Sequence, residues 1–108
     1  MIVQFLWFTE CANHAAAREL LLDVLKEKGI AYELDDIEAT DPRIAAEHRF
    51  PGSPTIRIDG RDIEPEYQDS GDHTPRCRLY YTSEGLSGIP ERRWIVEAIE
   101  RELRQKPG

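Results

Sequence analysis

The sequence predicts an α/β fold in which a central, mixed four-stranded sheet carries helices on both faces. Three patterns point to it. Ile2-Val3-Gln4-Phe5-Leu6-Trp7-Phe8 is a nearly continuous apolar run of strand length, as expected of a central strand buried on both faces. Apolar residues then recur at helical spacing from Ala12 to Lys28, and Thr55 to Glu64 reads as two short strands joined by a tight Asp59-Gly60 turn. A crossover through the first helix makes the first two strands parallel, whereas the tight turn makes the later pair antiparallel.

Thr9-Glu10 ends the first strand. In the helix that follows, Ala17, Leu20, Leu21, Val24 and Leu25 share a face, and Gly29 supplies a left-handed stop. Ile30, Tyr32 and Leu34 alternate with Ala31, Glu33 and Asp35, the period of two of a second strand. Thr40-Asp41-Pro42 sets a capping residue before a proline at the first helical position, so a short helix is expected from Pro42 to about Arg49. Phe50-Pro51-Gly52-Ser53-Pro54 breaks it. Thr55-Ile56-Arg57-Ile58-Asp59 then alternates as a third strand, and Arg61-Asp62-Ile63-Glu64 returns as a fourth. Beyond Pro90, Trp94, Ile95, Ala98, Ile99 and Leu103 fall on one face of a closing amphipathic helix. The order is strand, helix, strand, short helix, strand, strand, helix.

The 108 residues suit a single domain, given roughly 150 residues in an average one, with an irregular insert at about 65–88. Within that insert only Arg78-Leu79-Tyr80-Tyr81-Thr82 suits a brief strand. Structureless connections longer than about 15 residues are usually functional or disordered. Apolar residues make up 40% and charged residues 32%, the balance of a globular chain rather than a disordered one. Fourteen Lys and Arg against 21 Asp and Glu leave a net charge of −7, which repels nucleic acid and anionic membrane surfaces. The acidic run Glu33 to Glu38 and the charges from Glu91 to Arg104 read as solvated faces. No apolar stretch approaches the roughly 20 residues of a membrane span, and Met1 leads into the first strand without a basic region or cleavage site. The expected compartment is the cytoplasm.

In a reducing compartment Cys11 and Cys77 are catalytic, metal-binding or buried rather than structural disulfide partners. Cys11 falls where the first strand gives way to the first helix, so unpaired N–H groups and the helix dipole favour its thiolate. His14 follows on nearly the same helical face and is positioned to donate a hydrogen bond or charge to the sulfur, while Glu10 opposes the thiolate. The plain alternative is a small packed residue at a helix start. Gly52-Ser53-Pro54-Thr55 is a tight turn before a strand, where an X–Pro bond can be cis. Trp7, Phe8, Phe50 and Tyr67 are candidates for a groove near Cys11, although Trp7 and Phe8 are more simply core residues.

A helix-start cysteine, a Ser53-Pro54 turn before a strand and this order of elements together resemble the thioredoxin-like superfamily. The resemblance covers most of the chain outside the insert. It implies that Pro54 is the cis-proline lying against Cys11, and that the Ser53 backbone and the Thr55 strand start hold an extended substrate. Where a thioredoxin has a second cysteine, this chain reads Cys11-Ala12-Asn13-His14. Within the superfamily it is similar to small bacterial proteins with one helix-start cysteine, a Gly-Ser-Pro-Thr strand and a later segment such as Cys77-Arg78-Leu79-Tyr80, some labelled alkylmercury lyase or (seleno)protein. Glutaredoxins also work with one cysteine, but the paired-glycine and acidic turn that follows their hairpin is replaced here by Ile63-Glu64-Pro65-Glu66.

The function expected from these features is thiol-disulfide exchange, or reduction of a small oxidised substrate, through Cys11. No cofactor is needed, and the partner is a small thiol or disulfide or another protein. Cys11 would be the attacking thiolate, His14 its electrostatic partner and proton donor, and Pro54 the substrate-shaping residue. Cys77 would be the resolving thiol if the insert folds back, its thiolate favoured by Arg76 and Arg78. A second reading places metal between Cys11-x-x-His14 and His73-x-x-x-Cys77, two thiolates and two imidazoles that suit tetrahedral zinc, while thiolates alone suit mercury or copper(I). A third is an inactive thioredoxin-like interaction module.

Overall fold

In the computed structural model, which describes residues 1–105, the apolar run forms the central strand β1 (Ile2–Trp7). It pairs in parallel with β2 (Glu33–Glu38), from Ile2 opposite Glu33 to Trp7 opposite Glu38. On its other side it pairs antiparallel with β3 (Thr55–Ile58), from Val3 opposite Ile58 to Leu6 opposite Thr55. A two-residue β4 (Arg61–Asp62) completes a mixed four-stranded sheet in the order β2-β1-β3-β4. The Asp59-Gly60 turn works because both residues take positive φ, 48° and 85°, as a tight hairpin requires.

Alternation along β1 builds two cores. Val3 and Phe5 pack with Ala17, Leu21, Val24 and Leu25 of α1 (His14–Lys28) and with Ile95, Ala98 and Ile99 of α3 (Arg92–Gln105). Leu6 belongs to a smaller cluster with Ala39, Phe50 and Ala45 of α2 (Pro42–Glu47). Helices thus cover both faces, and the sheet is the α/β arrangement expected from the sequence. Gly29 closes α1 at a φ of 61°, donating its N–H to the Leu25 and Lys26 carbonyls. Asp41 caps α2 by accepting from the Arg43 N–H at 2.9 Å. No helix of the described residues is long and apolar enough to cross a membrane.

Several boundaries move. The second strand is Glu33–Glu38 rather than the alternating Ile30–Asp35, because its six residues match the length of β1. The acidic run is therefore an edge strand, and its exposed Glu33, Asp35, Asp36 and Glu38 blunt that edge. Helix α2 stops at Glu47 instead of Arg49, which turns left-handed at a φ of 51°. The fourth strand spans two residues rather than four. On α3, Glu102 is buried and Leu103 is 46% exposed, reversing the expected order. Glu102 continues the face of Ile95 and Ile99 and lies 3.9 Å from the guanidinium of Arg61.

The insert is not structureless. Arg78–Thr82 shortens to β5 (Tyr80–Thr82), which pairs antiparallel with an unforeseen β6 (Gly85–Ser87) in a separate two-stranded sheet. The residues before β5 fold back onto the loop that precedes β3, where the cysteines meet.

Candidate functional site

The loop between α2 and β3 turns at Gly52, with a φ of 130°, and continues through a cis Ser53–Pro54 peptide. Ser53 forms an isolated parallel bridge with Cys77. Its N–H donates to the Arg76 carbonyl at 2.7 Å, and its carbonyl accepts from the Arg78 N–H at 2.8 Å. Glycine is needed at 52 for a steric reason, since a Cβ there would stand 2.8 Å from the Arg78 Cβ.

Below the bridge the Arg78 side chain is buried. Its guanidinium donates to Thr55 Oγ1 at 2.9 Å, to both oxygens of Asp62 at 2.8 and 3.0 Å, and to Glu64 at 3.0 Å. It also lies over the Tyr80 ring, 4.4 Å from the centroid, with Tyr67 at 5.1 Å on another side. Burial works against the charge, but the Asp62 and Glu64 carboxylates outweigh it and hold Arg78 protonated. The buried Tyr80 hydroxyl donates to the Pro54 carbonyl, and burial drives its ionisation far above the usual range. Three attachments therefore clamp the Cys77 segment to the proline loop: the backbone bridge, the guanidinium cluster and the tyrosine.

Cys11 reaches the same place from the β1–α1 connection. Its N–H bonds to the Phe8 carbonyl at 3.0 Å, its side chain is 0% exposed, and its thiol donates to the Ser53 carbonyl at 3.4 Å. Helix α1 begins at His14, with Asn13 as N-cap, so Cys11 lies ahead of the cap and its thiol bond goes to the proline loop rather than to helix N–H groups. Cys77 is exposed, and its thiol lies close enough to Cys11 for the two to influence each other's ionisation. The neighbouring Cys11 thiol, burial, and the charge a Cys11 thiolate would carry all push the Cys77 thiol pKa upward. The flanking arginines do not reverse this: Arg76 pairs with Asp72 and Arg78 is buried with its carboxylates. A smaller fraction of Cys77 is thus ionised at neutral pH than in a free thiol, and the fraction grows as pH rises.

The other predicted site residues are more dispersed. His14 stacks on Trp7, with ring centroids 4.6 Å apart, and its Nδ1 is buried without a hydrogen-bond partner. Ser53, Pro54 and Thr55 are buried, and Thr55 Oγ1 donates to the Gly52 carbonyl at 2.6 Å while accepting from Arg78. His73 sits on the Asp69 carboxylate at 2.9 and 3.1 Å. Among the described residues, no three His, Cys, Asp or Glu side chains gather as a metal-holding group, so Cys11, His14, His73 and Cys77 do not form a four-ligand site. The four aromatics do not line one groove beside Cys11: Phe50 is core, Phe8 packs on its cluster, Trp7 donates its N–H to Asp36, and Tyr67 lies against Arg78.

Sequence reasoning named Arg78 and Gly52 but missed their roles, the buried guanidinium clamp and the close approach of the two segments. A signal for Arg78 exists in Asp62-x-Glu64, since alternate residues of an extended segment share a face and two carboxylates there call for a cation. Compared with known proteins, the chain matches no family model and no curated protein.

Proposed function

We propose that this protein is a thioredoxin-like thiol protein in which Cys11 and Cys77 alternate between dithiol and disulfide as a small thiol or disulfide, or a partner protein, is reduced or oxidised. The observation that supports the reading best is the meeting of two cysteines at Ser53, whose carbonyl accepts from the Cys11 thiol and whose backbone pairs with Cys77. Forming the disulfide removes two protons and two electrons from the pair, which pass to the substrate disulfide. Pro54 and Ser53 hold the loop on which the sulfurs converge, and His14, with its unpartnered Nδ1, is the nearby group in sequence suited to carrying a proton. A reducing compartment such as the cytoplasm would keep the pair as a dithiol between turnovers.

The same pair favours one other reading. Two sulfurs without a third ligand among the described residues suit a two-coordinate soft ion, mercury or copper(I), better than four-coordinate zinc. Native intact mass, followed by mild oxidation and a count of alkylatable thiols, separates the two. The redox reading expects a metal-free monomer mass that falls by two hydrogens as both thiols disappear together. Co-purified metal would favour ion capture, and thiols that never pair within one chain would overturn the redox reading.

A further inference from the structure

We infer that Cys77 receives the substrate sulfur, that Cys11 resolves the mixed disulfide from beneath, and that the substrate is a small, uncharged disulfide rather than an extended peptide. The inference rests on the redox reading of the pair and adds to it an order of attack and a substrate class.

Access sets the order. Cys77 is exposed, whereas Cys11 is 0% exposed, its thiol bonded to the Ser53 carbonyl on which the segment carrying Cys77 is paired. For a substrate to meet Cys11 first, that segment would have to leave, breaking both Ser53 backbone bonds, the Arg78 bonds to Asp62 and Glu64, and the Tyr80 bond to Pro54. Cys77 needs no such opening.

Hydrogen-bonding capacity sets the class. An extended peptide docks by pairing its backbone with free N–H and C=O groups. At Ser53 the N–H is spent on Arg76, and the carbonyl, with two lone pairs, already accepts from Arg78 and from the Cys11 thiol. The chain has paired its own segment where a peptide would lie. A small disulfide needs only the exposed sulfur, and the net charge of −7 disfavours an anionic one.

The steps balance. The Cys77 thiolate attacks one sulfur of R–S–S–R, the S–S bond breaks, and the first RS⁻ leaves and is protonated by solvent. Cys11 then loses its proton to solvent and attacks the Cys77 sulfur, the Cys77–SR bond breaks, and the second RS⁻ leaves and is protonated by solvent. The protein dithiol becomes the Cys11–Cys77 disulfide and the substrate gains two electrons as two thiols; an external dithiol restores the protein.

The test uses the full chain and 2-hydroxyethyl disulfide, with rapid acid quench and peptide mapping of the adduct. In the wild type the transient adduct should map to Cys77. Cys11→Ser should accumulate that adduct, and Cys77→Ser should be modified at Cys11 at least about a hundredfold more slowly, as for a group reached only through a rare opening. A peptide carrying the same disulfide should react with the wild type more slowly than the small compound. An adduct first on Cys11, or a peptide reacting as fast as the small disulfide, overturns the inference. A wild type that forms no internal disulfide at all removes the redox reading beneath it, whereas an internal disulfide with an adduct on Cys11 removes only the order proposed here.

Discussion

Two neighbouring stretches of the insert differ in a way their composition does not announce. Arg76 to Tyr80 is fastened to the proline loop, with Arg78 and Tyr80 buried, whereas the β5–β6 hairpin that follows leaves Tyr81 79% and Leu86 59% exposed. The arginine is inside and the apolar side chains are outside. Hydrophobicity alone would have placed them the other way round. What decides is whether a residue's polar groups find partners: Arg78 finds Asp62, Glu64 and Thr55, while Tyr81 and Leu86 stand opposite each other on a two-stranded ribbon and remain largely in solvent.

The largest effect should come from removing the buried cation. Arg78→Ala leaves the Asp62 carboxylate, whose side chain is 3% exposed, without its main partner. Losing one member of a buried ion pair typically costs about 3–5 kcal/mol, a large share of the stability of a small domain. Urea denaturation should show that loss. The same variant should slow formation of the Cys11–Cys77 disulfide, because the guanidinium fixes the segment carrying Cys77. A loss below about 1 kcal/mol would mean that the cluster is solvated and the clamp is weak.

A smaller effect should separate two glycines of the same backbone type. Gly52 and Gly85 both have positive φ, 130° and 105°. An added Cβ at 52 meets the Arg78 Cβ at 2.8 Å, whereas one at 85 meets nothing within 4 Å. Gly85→Ala should therefore cost the backbone strain alone, about 1 kcal/mol or a little more. Gly52→Ala adds overpacking of about 1–3 kcal/mol and should also retard disulfide formation. Equal losses in the two variants would show that the segment yields freely at Gly52.

Most of the sheet was legible because one-dimensional patterns report it. The apolar run of β1, the spacing of Leu21, Val24 and Leu25, the Asp41-Pro42 cap and the Asp59-Gly60 turn each act through neighbours in sequence. The second strand was foreseen, but its continuation through Asp36, Ile37 and Glu38 escaped because its register is imposed by β1, and its side chains mostly face solvent. At the site, Cys11, Ser53, Pro54 and Cys77 were identifiable as residue types with chemistry. Their meeting was not, since it depends on an insert folding back and on a guanidinium satisfied by residues of β4 and the turn after it. Cys77 illustrates the limit: the arginines beside it in sequence suggested a favoured thiolate, but both are engaged by carboxylates and the sulfur's own neighbour is another thiol.

The smallest effect belongs to the hairpin. Tyr81 and Leu86 stand opposite each other in the β5–β6 ladder, so Tyr81→Thr or Leu86→Thr removes one cross-strand contact and keeps a residue suited to a strand. Each should lower stability by less than about 0.5 kcal/mol, and the denaturant slope should not change. Disulfide formation should proceed at the wild-type rate, since the attachments holding Cys77 lie before residue 81. A loss above about 1 kcal/mol from either substitution would mean that the hairpin is covered in solution, and its dependence on protein concentration would show whether a second copy covers it. A normal stability with slowed disulfide formation would instead extend the clamp beyond Tyr80 into the hairpin, erasing the boundary between the two stretches.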